Sequence, residues 1–357
     1  MGYTRDLTPI AARLLSWYRA SGRDLPWRRD RDPYRVWVSE AMLQQTTVKA
    51  VIPYYERFVA RFPDVAALHA ASMDDVLASW AGLGYYRRAR HLKAAAEAIV
   101  RDHGGRLPAR IEDLRALPGF GPYMSAAVAA IAFDAPSPPI DANLRRVAAR
   151  FFAISPREKP VDARAEVALG PLYAIGPPSD LTQALMDLGA TVCLPVEPRC
   201  STCPVSFACR GRRAWRLFGR APARPLSVTR HAAALLWVDR GHVLLRQGTS
   251  RHLEGLWDLP VAEAATLPAA LAKLRRTLPE GWPLGGWASV ASLRRPELVV
   301  RHSIMARRIT RHVFRCERRR SGPGDWLPFE RLPALALTSA AKKTLRAALS
   351  SVAWSDS

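Results

Sequence analysis

Four groups of residues in this sequence stand at spacings that chemistry uses. Cys193, Cys200, Cys203 and Cys209 fall within 17 positions as C-x6-C-x2-C-x5-C. Four thiolates on loops this short can wrap one metal centre, and both an iron–sulfur cluster and a four-coordinate zinc ion accept that donor set. Zinc ribbons usually pair two C-x2-C knuckles, and this spacing has one. Glu40 stands among Val38, Met42 and Leu43. A carboxyl facing inward from such a run has a raised pKa and holds a proton to donate, whereas on a polar face it is an ordinary solvated glutamate. Asp141 precedes a helical run from Ala142, the position of a helix N-cap, where the backbone also favours an ionised carboxylate. Between the two carboxyls lies Leu117-Pro118-Gly119-Phe120-Gly121-Pro122-Tyr123. Gly119 and Gly121 permit a tight hairpin whose amides open toward phosphate at the start of a helix, although Pro and Gly also punctuate ordinary helix connections.

The elements that must position these groups are mostly helices. From Leu7 to Met186 apolar residues recur at three and four positions, as in Ile10, Leu14, Trp17 and in Leu92, Ala96, Ile99. An Arg-, Ala- and Pro-rich stretch then changes the texture, and we read residues 214–228 as a linker between a helical region, 1–213, and a second domain, 229–357. In the second domain, Ala232 to Val238, an Asp239-Arg240-Gly241 turn and His242 to Arg246 predict a hairpin. Leu298 to Ile304 and Ile309 to Cys316 predict strands, and Leu267 to Leu278 and Ser339 to Leu349 predict helices, which makes this domain α+β.

These motifs together carry a family resemblance. The cysteine spacing resembles the [4Fe–4S] loop of the endonuclease III superfamily of DNA glycosylases. The Leu117–Tyr123 segment, within about 111–133, resembles that superfamily's helix-hairpin-helix, which is followed at a fixed distance by an essential aspartate; Asp141 occupies that place. Trp37-Val38-Ser39-Glu40-Ala41-Met42-Leu43-Gln44-Gln45-Thr46-Thr47 is similar to the signature of MutY-type adenine DNA glycosylases, in which the corresponding glutamate is the general acid. The resemblance implies a two-lobed, mainly helical catalytic region with catalytic roles for Glu40, Asp141, Tyr123 and Asn143. It further implies DNA contacts from Gly119 and Gly121, and from Gln45, Leu83 and Tyr85 near an extruded base, a use that suits apolar and aromatic side chains as core packing also does. Strand-cleaving members of the superfamily carry a lysine where this chain has Tyr123, and a phenol cannot form their Schiff base, so the reaction implied is monofunctional, with Tyr123 orienting Asp141 and the sugar.

The later part resembles the Nudix-like C-terminal domain of the same enzymes through Leu253-Glu254-Gly255-Leu256-Trp257-Asp258-Leu259-Pro260. No Arg-Glu-x-x-Glu-Glu follows Gly255, which argues against pyrophosphate hydrolysis. Two departures stand out: Ala142 follows the aspartate where the family often has Gly, and Arg301-His302-Ser303 stands near the place of a common Phe-Ser-His element. The resemblance still assigns contacts to the opposite base to His302 and Ser303. The expected function is base-excision repair: hydrolysis of the glycosidic bond of adenine mispaired with 8-oxoguanine or guanine, with a [4Fe–4S] cofactor. Another mismatch or damaged-base glycosylase on this scaffold, or a catalytically silent damage-binding protein, are the alternatives.

Composition agrees with a polyanionic partner. Lys and Arg number 53 against 31 Asp and Glu, a net charge of +22 in 357 residues. Residues 229–357 hold 21 basic and 10 acidic residues, so half of that charge belongs to the second domain. No apolar run approaches the roughly 18 residues of a membrane span, and the odd cysteine count suits a reducing compartment rather than a disulfide framework. A cytoplasmic, DNA-associated monomer is expected, with double-stranded DNA carrying A:8-oxoguanine or A:G mispairs as partner and no membrane contact.

Overall fold

The computed structural model describes residues 6–157, 160–218, 228–248, 253–277, 296–304, 307–317 and 325–349. The chain divides into two compact units, Met1–Ala71 with Arg90–Ala223 and Ser72–Ala89 with Arg224–Ser357. Much of the expected linker, 219–227, lies outside the described residues.

The helical reading of the first half holds. In chain order come α1 (Thr8–Ser21), α2 (Pro33–Leu43), α3 (Val48–Arg61), α4 (Val65–Ala70), α5 (Met73–Trp80), α6 (Arg87–His103), α7 (Ile111–Ala116), α8 (Pro122–Phe133), α9 (Ala142–Phe152), α10 (Val161–Ile175) and α11 (Pro178–Asp187). Of these, α5 and the first turn of α6 belong to the second unit. One apolar core of the first unit gathers Ile10 and Leu14 of α1, Leu144 and Val147 of α9, Leu169 and Leu172 of α10, and Leu181 and Leu185 of α11. Val205 and Ala208 of the cysteine-bearing loop are buried in the same core, so the loop is anchored by packing. A π-helical turn, Leu188–Val192, joins α11 to Cys193.

The second unit is built on a mixed sheet. Its strands are β1 (Val228–Asp239), β2 (His242–Gln247), β3 (Trp257–Asp258), β4 (Val261–Ala264), β5 (Leu298–Ile304), β6 (Arg307–Glu317) and β7 (Asp325–Pro328), with α12 (Leu267–Thr277) and α13 (Ser339–Ala348). The main order is β3-β2-β1-β6-β5, with β4 also on β1 and β7 on β2. The predicted hairpin closes with Asp239 opposite His242. Arg240 and Gly241, at φ 40° and 74°, make the two-residue turn whose twist matches the strands. β1 runs parallel to β6 and is buried on both faces, which is why Ala232 to Val238 is apolar without alternation. Ala234, Leu236 and Val313 pack toward α13, while Ala233, Leu235 and Phe314 pack toward α12.

Candidate active site

The site in the first unit is assembled by helix ends and one helix interior. Asp32 starts α2 by accepting from the Arg35 N–H at 2.8 Å, with Pro33 at the first helical position. Nearly every residue from Tyr34 to Met42 is buried, so α2 is a core helix, and Glu40 goes inside with its neighbours, only 4 % exposed. α8 packs on α2. Its N-cap is Gly121, its first residue Pro122 and its second Tyr123. Gly119 takes φ +81°, and a β-carbon there would lie 2.6 Å from that of His91, so the hairpin accepts only glycine at this point.

That hairpin delivers Tyr123 to Glu40. The phenol Oη donates to Glu40 Oε2 at 2.5 Å. Burial is the main cause that pushes the Glu40 carboxyl up to about 7, while the Tyr123 hydrogen bond pulls the other way and the charge of Asp141 adds to the push. Burial also raises Tyr123 well above the ordinary phenol value, helped by the charges of Glu40 and Asp141. The phenol is therefore a donor throughout the neutral range. Sequence reasoning aimed Tyr123 at Asp141; its hydroxyl bonds Glu40 instead.

Asp141 caps α9, accepting from the Leu144 N–H at 2.7 Å. Burial raises its carboxyl above the usual aspartate value, opposed by the Leu144 and Asn143 backbone N–H groups and by the charges of Arg146 and Arg145. Asn143 Oδ1 accepts from Arg146 Nη2 at 2.8 Å. The same guanidinium donates to Gly189 O at 2.7 Å and to Cys193 O at 2.8 Å. One turn on, Arg150 donates to Leu194 O at 2.7 Å, to Pro195 O at 3.0 Å and to Cys193 Sγ at 3.4 Å. A β-carbon on Gly189 would fall 2.8 Å from that of Asn143, so this glycine lets the π-turn approach the start of α9. Sequence reasoning missed Arg146, Arg150 and Gly189; a glycine inside a helical run shortly before the first cysteine was the available signal.

Cys193, Cys200, Cys203 and Cys209 line one small cavity, with Arg150 and Trp215 on its wall. Among the described residues no three His, Cys, Asp or Glu side chains form a group placed to hold a single ion. Cys316 lies elsewhere, on β6 of the second unit.

The residues assigned to DNA contact belong to both units. Gln45 is exposed and takes φ 61°; Tyr85, 38 % exposed, takes φ 51°. Left-handed backbone costs an L-residue roughly 1–2 kcal/mol, so both tips are held by their surroundings. For Tyr85 the holder is Arg88, whose guanidinium lies over the Tyr85 and Trp80 rings and donates to Gly84 O at 3.1 Å. Leu83 is buried. His302 and Ser303 are successive residues of β5 and so point to opposite faces: His302 is half-buried with Nδ1 unpartnered, and Ser303 is exposed. The strand does not bring them together. In Leu253–Pro260 the notable side chain is structural, since Asp258 is buried, takes both Arg311 guanidinium nitrogens at 2.7 and 2.9 Å, and accepts the Thr338 hydroxyl at 2.8 Å.

Residues 38–171 match the family described as HhH-GPD superfamily base excision DNA repair protein. The chain is 44 % identical over 216 residues to the adenine DNA glycosylase of Mus musculus, covering 57 % of this chain and 42 % of that protein. It is 42 % identical over 217 residues to the adenine DNA glycosylase of Mycobacterium tuberculosis, covering 59 % of this chain and 68 % of that one. A solved thermostable thymine-DNA glycosylase superposes with a TM-score of 0.52 at 29 % identity, over 58 % of this chain and 99 % of that one. The chain thus spans about two fifths of the length of the mouse relative and two thirds of the mycobacterial one. On the hairpin, its flanking helices and these identities, the chain belongs to the adenine DNA glycosylase family of the HhH-GPD superfamily.

Proposed function

We propose that this protein is a monofunctional adenine DNA glycosylase that hydrolyses the N-glycosidic bond of adenine paired with 8-oxoguanine or guanine. The observation that carries the reading is the buried Glu40 carboxyl, raised to about 7 and bonded by Tyr123, in the same site as the helix-capping Asp141. An adenine in a duplex must leave the stack before its glycosidic bond can be reached. Glu40 then donates its proton to the departing base at N7, and as the bond breaks the sugar becomes oxocarbenium-like. Asp141 faces that charge as a carboxylate held by α9 N–H groups, and water adds at C1′ as its proton passes to the Glu40 carboxylate left by the first step. Tyr123 positions Glu40 and offers no amine, so the product is an abasic strand with its backbone intact.

Four thiols around one cavity are a donor set suited to a [4Fe–4S] cluster, and Cys193, Cys200, Cys203 and Cys209 would hold it. When bound, such a cluster would tie the 193–209 loop into a fixed shape, and Arg199, Arg210, Arg212 and Arg213 in and beside that loop supply positive charge for phosphates. The second unit has a mixed sheet between α12 and α13, which supports a Nudix-like reader of the opposite base. Asp258 and Arg311 serve that fold. The partner is double-stranded DNA, bound by one copy of the chain. No helix of the described residues is long and apolar enough to cross a membrane.

Single-turnover assays on duplexes pairing A with 8-oxoguanine, G or C test the reading, with a T:G duplex included because the solved thymine-DNA glycosylase shares the fold. Rapid loss of adenine opposite 8-oxoguanine or G is expected. Preferential loss of thymine, or binding without excision of any base, would overturn it.

A further inference from the structure

Leu253–Pro260 lacks the acidic residues of a pyrophosphate hydrolase, and the second unit puts the segment to another use. Ser72–Ala89 belongs to that unit, so α5, the Gly82–Tyr86 loop and the start of α6 are part of the same compact body as the sheet. Gly255 takes φ +75°, and a β-carbon there would lie 3.0 Å from Leu77 Cδ1 on α5. Trp257 pairs with the chain just before α13: its N–H donates to Ala336 O at 2.8 Å and its carbonyl accepts from the Thr338 N–H at 2.9 Å. Between those two bonds the Leu337 carbonyl accepts from the Tyr86 hydroxyl at 3.5 Å. Leu77, Tyr86 and Leu337 are all buried. The Asp258 carboxylate, which takes the Thr338 hydroxyl and the Arg311 guanidinium, fixes this shelf from within.

The loop above the shelf has a backbone that needs such support. Gly82, Gly84 and Tyr85 all have positive φ, at 104°, 78° and 51°. A conformation of this kind persists only where its surroundings over-determine it. The Tyr86 hydroxyl also accepts from the Gly82 N–H at 3.3 Å, so one oxygen joins the start of the loop to Leu337. At the other end Trp80 Nε1 and Arg88 Nη2 donate to Gly84 O at 3.0 and 3.1 Å. Trp80, Leu83, Tyr86 and Arg88 are buried, while the Tyr85 ring is 38 % exposed. An exposed aromatic ring on a loop braced at both ends is a stiff probe, and such a ring can replace base stacking that extrusion removes.

We propose that Tyr86 and Gly255 are positioning residues: they brace the Gly82–Tyr85 loop from within the second unit, so that Tyr85 enters the base stack beside the target adenine as a rigid part of that unit. The proposal rests on the DNA glycosylase reading and ties base extrusion to the seating of the second unit. The test uses the full cluster-loaded chain and a mispaired duplex with 2-aminopurine beside the target adenine, whose fluorescence rises when its stacking is broken. A 2′-fluoro group on the target nucleotide blocks excision for this measurement, and single-turnover excision at saturating protein is followed on the unmodified nucleotide. Tyr86→Phe keeps the ring and removes the shared hydroxyl; it is expected to lower the unstacked population and the excision rate about fivefold, as loss of a hydrogen bond does. Gly255→Ala, which presses on Leu77, is expected to act in the same direction. A second mismatch next to the target lowers the cost of unstacking, so it should restore most of the rate to both variants. Tyr85→Ala removes the probe itself, and adding Tyr86→Phe to it should cost nothing further, because a residue acting through Tyr85 has no path left. A general loss of stability would instead multiply with the Tyr85→Ala defect and persist on the doubly mismatched duplex. Unchanged fluorescence in Tyr86→Phe, or defects of the two tyrosine variants that multiply, overturns the proposal, while excision by the unaltered protein keeps the enzyme reading. If the unaltered protein unstacks the reporter without excising adenine, the reaction reading fails and the double variant still judges the brace; no DNA binding at all overturns both.

Discussion

Replacing Tyr123 with phenylalanine isolates one bond of the site. The phenol Oη donates to Glu40 at 2.5 Å, and that bond favours the ionised carboxylate, so it restrains a carboxyl that burial lifts to about 7. A general acid works in its protonated form, so excision should be present below about 7 and fall as pH rises through that value. A hydrogen bond to a charged group contributes about 1.5–3 kcal/mol, and 1.36 kcal/mol is one pH unit. Losing it should therefore carry the basic limb of the pH–rate profile upward by roughly 1–2 pH units. At pH 8 the unaltered protein would keep about a tenth of its maximal rate, and the variant about half or more. The assay is single-turnover excision from an A:8-oxoguanine duplex between pH 5.5 and 9.5, where binding and product release do not mask the chemical step. The acid limb should remain in place, since it belongs to Asp141, which must be ionised. A basic limb that stays where it was after the substitution would refute the argument that this bond tunes the acid.

Other outcomes follow from the same geometry. Glu40→Gln and Asp141→Asn should bind mispaired DNA normally and lose about 10² to 10⁴ in single-turnover rate; a near-normal rate in either removes that residue from the mechanism. Borohydride added during the reaction should trap no efficient protein–DNA adduct, and adduct formation coupled to rapid strand cleavage would contradict the role given to Tyr123. Protein prepared without oxygen should be brown, with about four irons per chain, and Cys316→Ser should keep them; stoichiometric zinc in place of iron would count against the cluster. Arg146→Ala strands the buried carbonyl of Gly189, at about 1–3 kcal/mol, and leaves the part-buried Cys193 carbonyl and Asn143 amide oxygen to water. A melting temperature unchanged by that substitution would show that water replaces the guanidinium.

What could be read from the sequence was local. β5 runs from Leu298 to Ile304 where a strand is expected, and α12 and α13 begin at Leu267 and Ser339 where helices are expected. The hairpin turn at Arg240-Gly241 is likewise written in two residues. Tertiary pairing was not legible. Nothing near Tyr123 says that its hydroxyl meets a carboxylate 83 positions earlier, and nothing near Asp258 announces an arginine 53 positions later. The parallel pairing of β1 with β6 crosses most of the second unit and leaves no trace in either strand alone. His302 and Ser303 show the converse: neighbours in sequence suggest a shared task, yet the two-residue period of a strand sends them to opposite faces.

The π-turn and α9 show why a cysteine loop and the Asp141 carboxylate belong in one unit. Asp141 is the N-cap of α9, and the next two turns of that helix carry Arg146 and Arg150. Both guanidiniums are buried, and both spend their donors on backbone carbonyls between Gly189 and Pro195. A helix is stiff along its axis, so fixing its side chains to the loop also fixes the direction of its N-terminus, and with it the amides that hold Asp141. Charge points the same way: Arg146 lies close enough to Asp141 to oppose the rise that burial imposes on its carboxyl. The loop is thus part of the frame that keeps a half-buried aspartate ionised and aimed, whatever phosphate contacts its own arginines make.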